Sequence, residues 1–255
     1  MSGAYRLPAT RAVGLSAPFR WLREGWGDLW ASWPASLAYG LVIAAVCAGL
    51  GAALIASNMA YWAFALTCGF VFVAPVLAMG NYETGRRLET GQKPTLVSAF
   101  IVPQAFRQDV AYLGLALLVI FFMWGQIAQV VYGLSTFQIH RTVAALMHFA
   151  TDVPEGRRML VVGSLIGGAI AFLTYCLVVV SAPMLLDRRN SIFEATVTSV
   201  RAVNGAFAPM LLWAFIIATL TLGSAATGFA AFVIVFPWLG LASWRAYRDL
   251  VVEPN

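Results

Sequence analysis

Charge is scarce in this chain, and its absences carry more information than its presence. Only 11% of the 255 residues are Asp, Glu, Lys or Arg, against about a quarter in ordinary soluble domains. Six apolar runs contain none of these, and no His: Ala35 to Ser57, Met59 to Tyr82, Val110 to Tyr132, Met159 to Leu186, Phe207 to Ala226 and Phe229 to Trp244. Ionisable side chains at membrane depth mark ion and proton paths, so a proton pump or ion-coupled transporter is disfavoured. The two histidines, His140 and His148, lie between the third and fourth runs. Eight residues apart on a helix, they would stand about 12 Å apart along its axis, too far to share one metal. Haem inside a bilayer needs axial ligands at that depth, where only Met and Cys occur. Cys47, Cys68 and Cys176 fall in three different runs without a paired motif and read as small apolar residues. No GxSxG, HExxH or P-loop pattern is present. No cofactor, no metal and no enzymatic activity are expected.

What the chain has in abundance is apolar surface. Hydrophobic residues make up 61% of it, more than one water-soluble core can hide, so the expected solvent is a bilayer. Runs of about 18 apolar residues or more cross a hydrocarbon layer about 30 Å thick. The expectation is therefore an all-α integral membrane protein with six transmembrane helices. The turns around Asn58 and Thr227–Gly228 are so short that the first and last pairs must be antiparallel hairpins.

Thirteen of the sixteen Lys and Arg fall on one side of this topology. They are Arg6, Arg11, Arg20 and Arg23 in the leader, then Arg86, Arg87, Lys93 and Arg107, then Arg188, Arg189 and Arg201, and finally Arg245 and Arg248. Arg141, Arg157 and Arg158 remain on the other side. The positive-inside rule puts both termini in the cytoplasm of a bacterial inner membrane. The net charge of +5 then forms a collar toward anionic lipid headgroups, the first expected partner. Because the basic residues are spread over four membrane-flanking segments, nucleic acid is not expected as a partner.

The chain also repeats itself. VFVAPVLAMGNYETGRRL from Val71 returns from Val233 as VIVFPWLGLASWRAYRDL, aligning Pro75 with Pro237, Tyr82 with Trp244 and Arg86 with Arg248. A shorter copy, VVVSAPMLL from Val178, aligns Pro183 with them. Fixed spacing suggests a repeated supersecondary unit. Three hairpin repeats are read, roughly 35–106, 107–205 and 206–250, in a compact bundle spanning 35–250. The linking segments KPTLVSAFIVPQAF and RNSIFEATVTSVRAV match in size and pattern. Residues 1–34 form a cytoplasmic leader with an amphipathic interfacial helix, in which Phe19, Leu22, Trp26 and Leu29–Trp30 share a face; the first span that follows reads as a signal-anchor. Residues 133–158 form an external amphipathic loop with Ile139, Val143, Leu146 and Ala150 on one face. Small residues at Ala45, Gly49 and Ala53, and at Gly163 and Gly167, make ridges for helix packing.

The candidate functional residues follow from this frame. Arg86, Arg87, Arg188, Arg189, Arg245 and Arg248, with Trp26 and Trp30, are expected to contact lipid or a partner, and Glu83, Asp187 and Asp249 are expected to pair across repeats. Gln126 and Gln129, at i and i+3, are candidates for lining a polar cavity, and a cavity is expected near the three prolines. GWGDLWASWPASLAYG, GFVFVAPVLAMGNYETGRRLE, VVVSAPMLLDRRNSIFEATVTSVRAV and VIVFPWLGLASWRAYRDLV together resemble a bacterial family of multi-pass inner-membrane proteins, domain of unknown function 2189. The resemblance runs from about Gly25 to Val251. It implies fold and location, and carries no catalytic residue with it. Some members bear a cytochrome c oxidase or oxidase-associated label; a catalytic oxidase subunit would need intramembrane histidines, so that label implies an accessory role. The leading expectation is a non-catalytic accessory or assembly subunit of an inner-membrane complex, with other membrane subunits as partners. The alternative is a small-solute or lipid-handling protein with a central cavity, and an intramembrane enzyme ranks last.

The topology is directly testable. A cysteine placed at Asp152 should react with a membrane-impermeant maleimide in intact cells, and one placed at Arg20 should not; the reverse labelling would invert the orientation.

Overall fold

The computed structural model describes residues 7–252; Arg6 lies outside them. Among the described residues there are twelve α-helices and no sheet. In chain order the helices are α1 (Ala17–Ala31), α2 (Trp33–Ala56), α3 (Ala60–Leu77), α4 (Met79–Glu89), α5 (Leu96–Phe100), α6 (Gln108–Ser135), α7 (Val143–Asp152), α8 (Pro154–Val178), α9 (Ser181–Asp187), α10 (Ile192–Gly205), α11 (Phe207–Ala226) and α12 (Phe232–Leu250). Five stretches are long and apolar enough to cross a membrane: Trp33–Ala56, Ala60–Glu89, Gln108–Ser135, Pro154–Asp187 and Phe207–Ala226.

The expected sixth span differs in kind. Its helix α12 starts at Phe232, three residues later than the apolar run, and carries Arg245, Arg248 and Asp249 in its last turns. Twelve of its nineteen residues are buried, packed against α1, α2, α4 and α11. It is the central post of the bundle, with Ile234 in its first half left exposed. Two other spans run past the limits read from hydropathy, to Glu89 and Asp187. At 30 and 34 residues they reach about 45–50 Å, well beyond a hydrocarbon layer of about 30 Å.

Both long rods are interrupted near their proline. The first breaks at Ala78, three residues after Pro75. The second breaks at Val179–Val180, and Pro183 sits in the first turn of α9. A proline cannot donate the helical hydrogen bond and its ring crowds the carbonyl four residues back, which for Pro183 is that of Val179. The Val180 amide at the break donates instead to Ser199 Oγ at 3.2 Å. Pro237 is accommodated inside α12 without a break. The segments following the three prolines, α4, α9 and the second half of α12, pack against one another and form the most thoroughly buried part of the molecule.

Local chemistry fixes the connections. Asn58 adopts φ 57° between α2 and α3, and Gly228 adopts φ 63° between α11 and α12. These are the residue types that tolerate the left-handed region. The two linking segments begin alike, with capping boxes formed by Thr95 and Ser98 before α5 and by Ser191 and Glu194 before α10. They then diverge. Pro103 forces Val102 into an extended conformation, so α5 stops after five residues while α10 runs for fourteen.

Helix α1 is amphipathic, as the leader pattern predicts. Trp21, Gly25 and Asp28 face inward with Leu29, and Trp21 meets Trp213 edge to face at 5.7 Å. Phe19, Trp26 and Trp30 are exposed, so the apolar stripe read from the sequence is the solvent-side or lipid-side face. The chain ends meet: Thr10 bridges Val251, and the Arg11 amide donates to the Leu250 carbonyl at 2.8 Å. Helix α7 lies at the opposite end over α3 and α8. It buries Leu146, Phe149 and Ala150, whereas Ile139 and Val143 from the expected face are exposed.

Helices α2 and α12 touch backbone to backbone at Gly40, where a Cβ would come within 2.2 Å of the Val233 carbonyl oxygen. Gly49, farther along α2, has open space. Gly40→Leu should therefore cost about 1–3 kcal/mol through overpacking, seen as a lower Tm in detergent, while Gly49→Leu leaves Tm unchanged.

Candidate functional site

The charged residues gather at the end where the proline-bearing helices converge. Glu83 on α4 is almost fully buried. It accepts two hydrogen bonds from Arg86, both at 2.8 Å, and one from Arg87 at 2.7 Å. Spacings of three and four residues bring all three onto one helical face. A buried carboxylate needs such partners, because desolvating an unpaired charge is costly.

Helix α12 carries the rest. Arg245 forms a bidentate pair with Asp28 of α1, at 2.6 and 2.7 Å. Those hydrogen bonds raise the guanidinium pKa further above its already high ordinary value. Arg248 reaches Glu89 of α4 at 2.9 Å and Asp187 of α9 at 3.6 Å. Glu89 also accepts from Trp244 Nε1 at 3.1 Å, and Asp187 from the Tyr247 hydroxyl at 2.7 Å. Burial, first, and Asp187, second, push the Tyr247 hydroxyl pKa up, so it stays a neutral donor. Arg188 lies 3.7 Å from Asp187, with its guanidinium over the Tyr247 ring. Asp249 takes the Trp21 indole N–H at 3.0 Å and a salt bridge from Arg20. Arg107 donates to the Leu185 and Arg188 carbonyls at the end of α9.

The site residues expected from the sequence thus fall into two groups. Arg86, Arg87, Arg188, Arg245 and Arg248 are held in ion pairs within the chain, and Arg189 is exposed. Trp26 and Trp30 are exposed and meet edge to face at 5.7 Å, with Trp238 5.1 Å from Trp26. Asp28 and Glu89 were not singled out. Asp28 was legible in principle, as the one acid in register with Trp21 and Gly25 on the inner face of α1.

The cavity is elsewhere. The region around Pro75, Pro183 and Pro237 is filled: Pro183 and Pro237 are buried. A cavity of about 310 Å³ instead lies in the α7-side half of the bundle, between α3, α6, α8 and α11. Gln126 and Gln129 do not line it. Both are exposed on the outer face of α6, because the inner face is set by Trp124, Ile127, Ala128 and Val131. The most buried polar side chains are instead Ser36, Asn81, Glu83, Thr84, Ser181, Thr198, Ser199 and Ser224. His140 stacks on Phe149 at 4.4 Å and bonds to the Tyr132 hydroxyl, while His148 is exposed 3.8 Å from Asp152. Among the described residues no group of three or more His, Cys, Asp or Glu is placed to hold a metal ion.

Residues 63–187 match the family model described as "Predicted integral membrane protein (DUF2189)". No curated protein and no solved structure matches the chain.

The Arg245–Asp28 pair can be weighed separately. Asp28→Asn should lower stability by about 1–3 kcal/mol, since it leaves a partly buried guanidinium short of its counter-charge. Asp28→Asn with Arg245→Met should recover part of that loss in detergent thermal melts. A double variant no better than the single would show that the pair's charges do not act together.

Proposed function

We propose that this integral membrane protein of the DUF2189 family is a non-catalytic accessory or assembly subunit of a bacterial inner-membrane complex. The observation that carries this reading is the commitment of its buried charge to structure. The two buried carboxylates among the described residues, Asp28 and Glu83, are each engaged by arginine in bidentate geometry. Catalytic carboxylates keep an open face toward a substrate; these are locked by their arginines. Asp28 ties α1 to α12, and Glu83 holds Arg86 and Arg87 against its own helix α4.

In this reading six helices cross the membrane as three hairpins, with α12 as the shielded sixth, and the joined chain ends lie in the cytoplasm. Two features leave surface for partners. Ala45, Gly49 and Ala53 of α2 are exposed, and small residues let a second helix approach closely where lipid gives no hydrophobic drive. The comparable ridge on α8 is occupied within the chain, Gly167 packing on the Trp124 ring. Phe19, Trp26, Trp30 and Trp33 form an exposed aromatic band on α1 and the start of α2, suited to the headgroup boundary or an interfacial partner. The oxidase-associated label of some relatives makes respiratory complexes the first to search.

Affinity purification from native membranes in a gentle detergent should recover other membrane subunits in stoichiometric amount. Gly49→Leu should lower that recovery several-fold without reducing accumulation of the protein itself. Recovery of the wild type as a lone chain would overturn the accessory reading.

A further inference from the structure

We propose that the cleft between α3, α6, α8 and α11 holds one acyl chain of an anionic phospholipid from the leaflet on the α7 side, with the headgroup at Arg157. This goes beyond the accessory reading and does not depend on it. The cleft wall is mostly apolar. Of its polar members, Thr67 donates to the Ala63 carbonyl at 2.7 Å and the Tyr132 hydroxyl is bonded to His140 at 2.8 Å, while Tyr61, Ser164 and Thr221 are the others. Water would find few partners there. Hydrocarbon fits.

The dimensions select the occupant. The lining runs from Tyr61 to Phe72 on α3 and from Met159 to Ala171 on α8. At the helical rise this is about 16–18 Å, roughly half a hydrocarbon layer of about 30 Å, which is the depth of a single leaflet. The inner end closes where Phe72 meets Trp124 at 6.2 Å and Trp124 presses on Gly167. Its indole N–H is held by the Ala65 carbonyl at 3.0 Å. The cleft opens sideways rather than into water, because Ser164, Ile166 and Gly168 of α8 and Leu222 of α11 line it and are also exposed. A chain can therefore enter from the bilayer without leaving hydrocarbon.

The outer rim supplies the charge. Arg157 lies seven and eleven residues before Ser164 and Gly168, on the same stripe of α8 that forms the opening. It is exposed, and its polar contact within the chain is one 3.4 Å hydrogen bond to the Thr151 carbonyl. Arg141 is positioned beside Tyr61, since its carbonyl accepts from the Ala60 amide at 3.3 Å. No ion pair is formed by Arg141, Arg157 or Arg158 among the described residues, whose carboxylates nearby are Asp152 and Glu155. The three basic residues on the sparsely charged side of the protein thus flank the end of the cleft where a headgroup would sit.

The test is photolabelling of the intact protein in nanodiscs of phosphatidylcholine doped with phosphatidylglycerol bearing a diazirine midway along one acyl chain. Adducts should concentrate on cleft residues such as Cys68, Ile127 and Gly163. Phe122 and Val119, on the outer face of α6, should be labelled much less. Ala171→Phe should reduce the Ile127 adduct several-fold and leave the Phe122 adduct unchanged. Equal labelling of the two faces of α6 in the wild-type protein would overturn the site, whether or not the filled variant folds. A matching phosphatidylcholine probe should give roughly fivefold fewer cleft adducts, the share of one basic residue near a surface, and Arg157→Gln should remove that difference. Equal cleft labelling by both probes in the wild type would overturn the headgroup assignment.

Discussion

The structure depends on one constraint: its central helix is both buried and charged. Helix α12 brings Arg245, Arg248 and Asp249, each only partly exposed, to the end where four helices pack around it. Water cannot solvate these groups freely there, so each must find its counter-charge on a neighbour. Asp28 on α1, Glu89 on α4, Asp187 on α9 and Arg20 on α1 meet that demand. The positions of α1, α4 and α9 follow, because each is tied to α12 at a defined height. Buried pairs of this kind add little stability over well-packed apolar residues, yet removing one partner is costly. They therefore discriminate between registers more than they strengthen the fold.

That discrimination matters because the membrane-facing helices offer little of it themselves. In hydrocarbon, apolar side chains gain nothing by leaving lipid for protein, and close packing of small residues becomes the main attraction. The exposed faces of α2, α6 and α8 carry Leu, Val, Phe and Ile without pattern. Sliding one helix by a turn would change few contacts there. Contacts such as Gly25 under Ala242 and Gly40 under Val233 are different, since a Cβ at either would clash with backbone. They lie along the same seam as the α12 charges, so steric and electrostatic register are fixed together.

How much was legible in the sequence follows from which of these forces writes a local signal. Hydropathy found the five long spans, because lipid exposure demands apolar residues continuously. It read the apolar first half of α12 but not its second half, whose charges pair with neighbouring helices. Helix α1 illustrates the same limit. Phe19, Trp26 and Trp30 announce an amphipathic helix, but both faces of α1 bear aromatics, and only tertiary contact shows that Trp21, Gly25 and Asp28 are the inward ones. Arg86, Arg188, Arg245 and Arg248 were read by repeat and by charge as lipid or partner contacts that pair with Glu83, Asp187 and Asp249 across repeats. Arg248 does reach Asp187, whereas Glu83 pairs within α4 and Asp249 with Arg20 of α1, choices of partner that a sequence does not show. Gln126 and Gln129 failed for another reason: polarity alone placed them inside, whereas Trp124 and Ile127 determine which side of α6 is inner.

The two ends of the bundle are thereby built on opposite principles. On the side of the chain termini, prolines and breaks turn the rods inward, and the interior is filled by Trp21, Trp213, Trp244, Tyr247 and their ion pairs. On the α7 side, among the described residues, the one ion pair is His148 with Asp152 inside α7, and none joins two helices. A cavity can persist there because lipid is available to fill it, so the void does not expose apolar surface to water. The ion-paired, proline-bearing end and the cavity thus sit at opposite ends of α3 and α8, the two rods that contribute to both.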